Sequence, residues 1–117
     1  MAGGNEFVSY LIDMLGPMST VKAKAMFGGF GIFKDGLMFG LVSQDTLYLK
    51  ADRISRLDFE MRGLKPFTYR RKGRDLALSY YQAPLEALDD DEELLSWAEK
   101  AYDAAIRSAG GKSKRFK

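Results

Sequence analysis

Near the start of the chain, Phe7, Leu11, Met14 and Leu15 fall at helical spacing and make one apolar stripe. Asn5 offers a side-chain oxygen to the free N–H groups of a first turn, and Gly16-Pro17 stops the run, so the pattern predicts a helix from Asn5 to about Leu15, preceded by a disordered Met1–Gly4. The period then drops to two. Met26–Lys34 reads as one bent strand, with Phe27, Gly29, Gly31 and Phe33 on one side and Gly28, Phe30 and Ile32 on the other. Asp35-Gly36 between apolar runs predicts a hairpin into a second strand, Leu37–Val42, because such a turn needs positive φ. Ser43-Gln44-Asp45 turns into a third strand, Thr46–Lys50, where Leu47 and Leu49 oppose Tyr48.

Helical spacing returns after Asp52, a cap for a second helix reaching about Arg62 along Ile54, Leu57, Asp58 and Met61, with Gly63 as its stop. Phe67–Arg71, a turn at Lys72-Gly73, and Arg74–Tyr81 form two further strands. In the latter Leu76, Leu78 and Tyr80 alternate with Ala77, Ser79 and Tyr81. A short turn or helix from Pro84 to Leu88 leads to the acidic run Asp89–Glu93, whose charges suit the first turn of a helix. That helix carries Leu94, Trp97, Ala98, Ala101, Tyr102 and Ala105 on its apolar stripe and ends at Gly110-Gly111. The order α-β-β-β-α-β-β-α predicts an α+β domain of two layers, a five-stranded antiparallel sheet with helices mainly on one face. Residues 1–111 form this single domain, and 112–117 a basic flexible tail.

Composition narrows the chemistry. The 117 residues contain neither cysteine nor histidine. Disulfides are impossible, tetrahedral zinc sites lose their usual ligands, and Cys-His and Ser-His-Asp catalysis is excluded. No cofactor, metal or enzymatic activity is expected. No apolar run approaches the roughly 18 residues of a membrane span, and the N-terminus lacks the basic and apolar regions of a secretory signal. A cytoplasmic address follows as the expectation. The net charge of +2 is carried by the terminal segment GGKSKRFK, which has four basic and no acidic residues. The body without it is slightly acidic, unlike most small nucleic-acid binders.

The stretch MFGGFGIFKDG, Met26–Gly36, holds four glycines. It is no phosphate loop. Gly31 and Gly36 have P-loop spacing, but Leu37-Met38 stand where the lysine and hydroxyl belong, and Lys34 takes the third glycine position of a dinucleotide fingerprint. The glycines are expected to let a strand curl or a helix pack closely.

The segments MFGGFGIF, LYLKAD, PFTY and LSYYQAP, the last followed by the acidic helix start, together resemble the N-terminal domain of the TfoX/Sxy family, over about Val21 to Ala109. The resemblance implies a two-layer α/β sandwich similar to secretion chaperones. Two-domain members of that family are bacterial regulators of natural competence that act with the cyclic-AMP receptor protein at a subset of promoters. The resemblance covers only their first domain, so a stand-alone version is expected here, and no catalytic residues are implied.

Two surfaces follow as candidates. Arg70, Arg71, Lys72 and Arg74 gather at one hairpin, and together with Lys112, Lys114 and Arg115 of the tail they form a candidate contact for nucleic acid or an acidic partner. Phe30, Ile32, Tyr48 and Tyr69 are expected on the open face of the sheet, a candidate surface for a protein partner or a second copy of the chain. The favoured reading is a non-enzymatic interaction domain in transcription regulation, with the cyclic-AMP receptor protein or transcription machinery as partner. Nucleic-acid binding through the basic groups is the alternative. A small ligand-binding or hydrolytic domain using Tyr80, Tyr81 and carboxylates is the third reading.

Overall fold

Three two-residue turns organise the sheet. Asp35-Gly36, Gln44-Asp45 and Lys72-Gly73 all have positive φ at both residues, the mirror-image geometry that matches the twist of paired strands. They join strands that register directly across them: Lys34 with Leu37, Ser43 with Thr46, and Arg71 with Arg74. In the computed structural model, which describes residues 2–26 and 28–114, with side chains over 6–26 and 28–110, six strands result. They are β1 (Val21–Met26), β2 (Gly29–Lys34), β3 (Leu37–Ser43), β4 (Thr46–Lys50), β5 (Pro66–Arg71) and β6 (Arg74–Gln82). All neighbours are antiparallel, in the order β1-β2-β3-β4-β6-β5.

The sixth strand corrects the expected count of five. The chain does not bend through Met26–Lys34; it reverses there, Met26 pairing with Gly29 and Gly28 adopting φ 74°. β1 was hidden because it needs no apolar face. Lys22, Ala23, Lys24 and Ala25 are all exposed on this edge strand, and its lysines discourage further strand pairing. Gly29 answers a close approach within the sheet, not to a helix: a Cβ there would lie 2.0 Å from the Val42 carbonyl oxygen of β3.

The helices are α1 (Ala2–Met14), α2 (Arg56–Glu60) and α3 (Asp91–Lys114), with 3-10 turns at Gly16–Met18 and Leu85–Asp89. α1 begins upstream of the cap expected at Asn5, and α3 runs through Gly110-Gly111 instead of ending there. The α3 start is as expected: the Asp90 carboxylate accepts from the N–H groups of Glu92 (3.0 Å) and Glu93 (3.2 Å). Among the described residues no helix is long and apolar enough to cross a membrane.

α3 packs across β3 and β4, with α1 beside β1. The core between the layers takes Leu11 and Met14 from α1, Leu15 just after it, Leu94, Trp97, Ala98, Ala101 and Ala105 from α3, and Ile32, Val42, Leu47 and Leu49 from the sheet. A bulge inserts Phe39: Ile32 pairs with Gly40 but Phe33 with Met38, and the extra residue is fully buried, edge-on to Tyr102 at 5.9 Å. α2 corrects a second expectation. Ile54, Leu57 and Met61 are exposed, while Ser55 and Phe59 are buried. Its phase is set by Phe59, which lies 5.5 Å from the Tyr81 ring and 5.0 Å from Trp97. The cap at Asp52 also fixes it. The carboxylate accepts from the N–H groups of Ile54 (3.1 Å) and Ser55 (3.0 Å), and the Ser55 hydroxyl accepts from the Asp52 N–H (3.1 Å).

Candidate interaction surface

The face of the sheet away from the core is apolar at its β4-β6-β5 end. On β4, Leu47 and Leu49 enter the core, so Tyr48 points the other way. Its neighbour across the strand pair, Leu41 of β3, is buried on that same side. β5 adds Phe67, edge-on to Tyr48 at 5.0 Å, and Tyr69, stacked with Phe67 at 6.2 Å. β6 adds Leu78. Between Leu41, Phe67, Tyr69 and Leu78 lies a hollow of about 360 Å³, with Ser43 in its wall and Arg71 as the charged residue of its lining. Tyr80 closes the neighbouring part of the face. Its hydroxyl donates to the Met38 carbonyl across β4 (3.3 Å), the Lys50 ammonium lies 5.3 Å from its ring, and burial pushes its phenol up to about 12. Apolar walls with few polar groups suit recognition of an apolar side chain or ligand.

The hairpin turn beyond this hollow is basic but divided. Arg70 is held on one side by Asp75 (2.9 Å) and by the Gly73 carbonyl (3.3 Å). Arg71 and Arg74, paired across the turn, lie on the other side with Tyr69 and Leu76. Lys72 sits in the turn itself. Arg71, Lys72 and Arg74 are exposed and form no ion pair among the described residues. The side chains of Lys112 and Lys114, and all of Arg115, lie outside the described residues.

The family model of the TfoX N-terminal domain matches residues 13–105, which takes in the whole sheet and the core stretch of α3. The chain belongs to the TfoX N-terminal domain family. It is similar to Protein Sxy of Escherichia coli (strain K12), 24% identical over 103 residues that cover 88% of this chain and 49% of Sxy. The chain thus spans about half the length of the curated relative it matches.

Within this TfoX N-terminal domain, Tyr48 and Tyr69 stand on the open face as expected, joined through Phe67. Phe30 and Ile32 do not. Ile32 is 1% exposed in the core, and Phe30, two residues away on the same side of β2, packs against it. Strand register decides this. Gly31 pairs with Leu41, and Leu41 with Tyr48, so the glycine and not its neighbours shares the tyrosine's row. Leu41, Phe67 and Leu78 were the missed members. The alternation of Leu76, Leu78 and Tyr80 was visible in the sequence, but not which way it faced. Tyr80 and Tyr81 do not converge. Tyr81 turns to the helix side, where its hydroxyl donates to the Glu60 carboxylate (2.7 Å), a bond that raises its pKa. Among the described residues no group of three acidic residues is placed to hold a metal.

Proposed function

We propose that this TfoX-family domain is a non-enzymatic protein-interaction module acting in transcription regulation in the cytoplasm, as competence regulators of the family do. Its partner is expected to be the cyclic-AMP receptor protein or another part of the transcription machinery. The carrying observation is the apolar hollow on the sheet face away from the core, walled by Leu41, Phe67, Tyr69 and Leu78. A face of this kind takes an anchoring side chain from another protein, and Arg71 beside it favours an acidic neighbour to that anchor. Titration of purified cyclic-AMP receptor protein against the domain tests the reading. Tyr69→Asp and Leu78→Asp, confirmed folded by circular dichroism, are expected to weaken binding at least about tenfold by placing a charge in a desolvated contact. Unchanged affinity in both would refute this surface. The same face is open to a second copy of the chain, which sedimentation at increasing concentration would reveal.

A second reading, nucleic-acid binding, is favoured by the three exposed cations Arg71, Lys72 and Arg74 at the hairpin turn. It requires DNA affinity that falls steeply with salt and a smaller salt slope in the Arg71→Ala/Lys72→Ala/Arg74→Ala variant. Salt-independent binding, or none, removes it.

A further inference from the structure

On the helix side, the sheet is not fully covered. α3 lies over β3 and β4, and β6 turns only small side chains, Ala77 and Ser79, toward the helices before Tyr81 enters the core. The result is an open cleft of about 430 Å³ between this part of β6, the segment leading into α2, and Ser108 near the end of α3. That volume is within the roughly 300–1,000 Å³ typical of small-molecule sites. The cleft lies on the opposite face of the sheet from the apolar hollow.

Its charge is distinctive. Three cations line it: Lys50 at the end of β4, and Arg53 and Arg56 on the way into α2. Asp52 is the one carboxylate in the lining, and it is already engaged. Arg107 grips it through two bonds of 2.6 and 3.0 Å, and the N–H groups of Ile54 and Ser55 bond the same carboxylate. The Arg107 bonds, foremost, hold that carboxyl well below the usual carboxylate range. Neither Arg53 nor Arg56 forms an ion pair or hydrogen bond among the described residues. Hydroxyl groups complete the lining at Ser79, which already accepts from the Lys50 ammonium at 3.0 Å, at Ser108, and at Tyr81, whose hydroxyl donates to the Glu60 carboxylate.

We infer that this cleft binds a phosphate dianion, free or as the head of a small organic phosphate. The guanidinium forks of Arg53 and Arg56 suit phosphate oxygens in charge and geometry. Serine hydroxyls supply further donors. Pro66 and Ala77 give an ester's organic body an apolar wall on which to rest.

The test uses amide proton–nitrogen correlation spectra of the full chain, titrated with inorganic phosphate and with phenyl phosphate. Saturable shifts are expected at residues 50–56 and 77–81. In Arg53→Gln and Arg56→Gln, each at an exposed position that leaves the fold intact, affinity is expected to fall about tenfold, as loss of one charge-assisted contact implies. Tighter binding of phenyl phosphate assigns the cleft to phosphate monoesters, and equal binding assigns it to the free anion. No saturable shift with either probe overturns the inference. So do equal shifts in a variant carrying both Arg53→Gln and Arg56→Gln, or shifts confined to the hairpin at 70–74. Failure here leaves the protein-interaction reading untouched, because that reading rests on the other face of the sheet.

Discussion

β4 and β6 lie side by side, both alternate apolar with other residues, and they use that alternation in opposite directions. Leu47 and Leu49 of β4 point at α3 and are 2% and 1% exposed. Leu76, Leu78 and Tyr80 of β6 point away from the helices and stay half-buried, while Ala77 and Ser79 face the helix side. A strand beneath a helix makes its apolar alternate into core. A strand beyond the helix's reach has its apolar alternate left as surface and its small residues left as the floor of a cleft. On the readings proposed above, the β5-β6 hairpin carries a recognition face on each side, with β3 and β4 contributing at its margin.

The comparison is broken most directly by one substitution made twice. Leu49→Ala empties a fully buried site and should cost about 2–5 kcal/mol. Leu78→Ala, on the half-buried open face, should cost less than about 1 kcal/mol, since water already reaches the side chain. Urea unfolding measures both. Equal losses would mean that the hairpin belongs to the same cooperative core, and that the two strands do not differ in role.

A second pair of variants sharpens the view of the meander. Gly29→Ala would drive a methyl to 2.0 Å from the Val42 carbonyl oxygen, a backbone atom of the adjoining strand. About 1–3 kcal/mol should be lost, the usual range for overpacking. At Gly31 the nearest atoms are the far ends of side chains, Met26 Sδ at 2.5 Å and Phe33 Cε1 at 2.8 Å. These can swing aside, so Gly31→Ala should be the milder change in the same thermal or urea measurement. The reverse order would show that the β2-β3 spacing is more adaptable than its register suggests.

Much of this architecture was readable from residue order, for local reasons. Turn pairs such as Asp35-Gly36 and Lys72-Gly73 need positive φ, and the α3 stripe from Leu94 to Ala105 has a period that only a helix satisfies. The Asp52 cap and the acidic start of α3 were equally plain. What escaped depended on distant partners. β1, with its exposed lysines and alanines, carries no apolar signal because an edge strand with both faces wet needs none. The phase of α2 was misjudged because three exposed apolar residues, Ile54, Leu57 and Met61, outnumber the single Phe59 that enters the core. The open face was half right, Tyr48 and Tyr69 but not Phe30 and Ile32, because row membership is fixed by the β2-β3-β4 register. No sequence spacing reveals that register. The cleft at Lys50, Arg53 and Arg56 was invisible for the same reason: only the fold brings Ser79 and Ser108 to those cations.

The helix side is also anchored by charge. Asp52 ties the start of α2 to Arg107 of α3, and its carboxyl is held below the ordinary range chiefly by the Arg107 bonds, with the Ser55 N–H adding and burial opposing. A carboxyl with a depressed folded pKa stabilises the fold above its unfolded value of about 3.9 and loses that contribution as pH falls toward the folded value. Asp52→Asn should therefore cost about 1–2 kcal/mol at neutral pH. It should also flatten the decline in stability below about pH 4. Stability curves for the two proteins that run parallel through the acid range would show that the pair carries no net energy.

Tyr80 tests the opposite face, with the smallest effect. It is one residue through which the hairpin's open side is tied back to the meander, its hydroxyl donating to the Met38 carbonyl at 3.3 Å. Loss of that bond in Tyr80→Phe should cost about 0.5–1 kcal/mol at neutral pH. Burial raises the phenol from an ordinary value near 10 to about 12, so the folded state retains a proton that the unfolded chain releases. That contribution is complete below pH about 10 and is lost as pH rises toward about 12, which gives the wild type a steeper alkaline decline than Tyr80→Phe. An ultraviolet titration should show late-ionising phenol absorbance, beyond the share of Tyr81, that is lost in the variant. If every tyrosine ionises at the ordinary value, water has free access to the ring, and the Tyr80 hydroxyl does not tie the hairpin's open side to the meander.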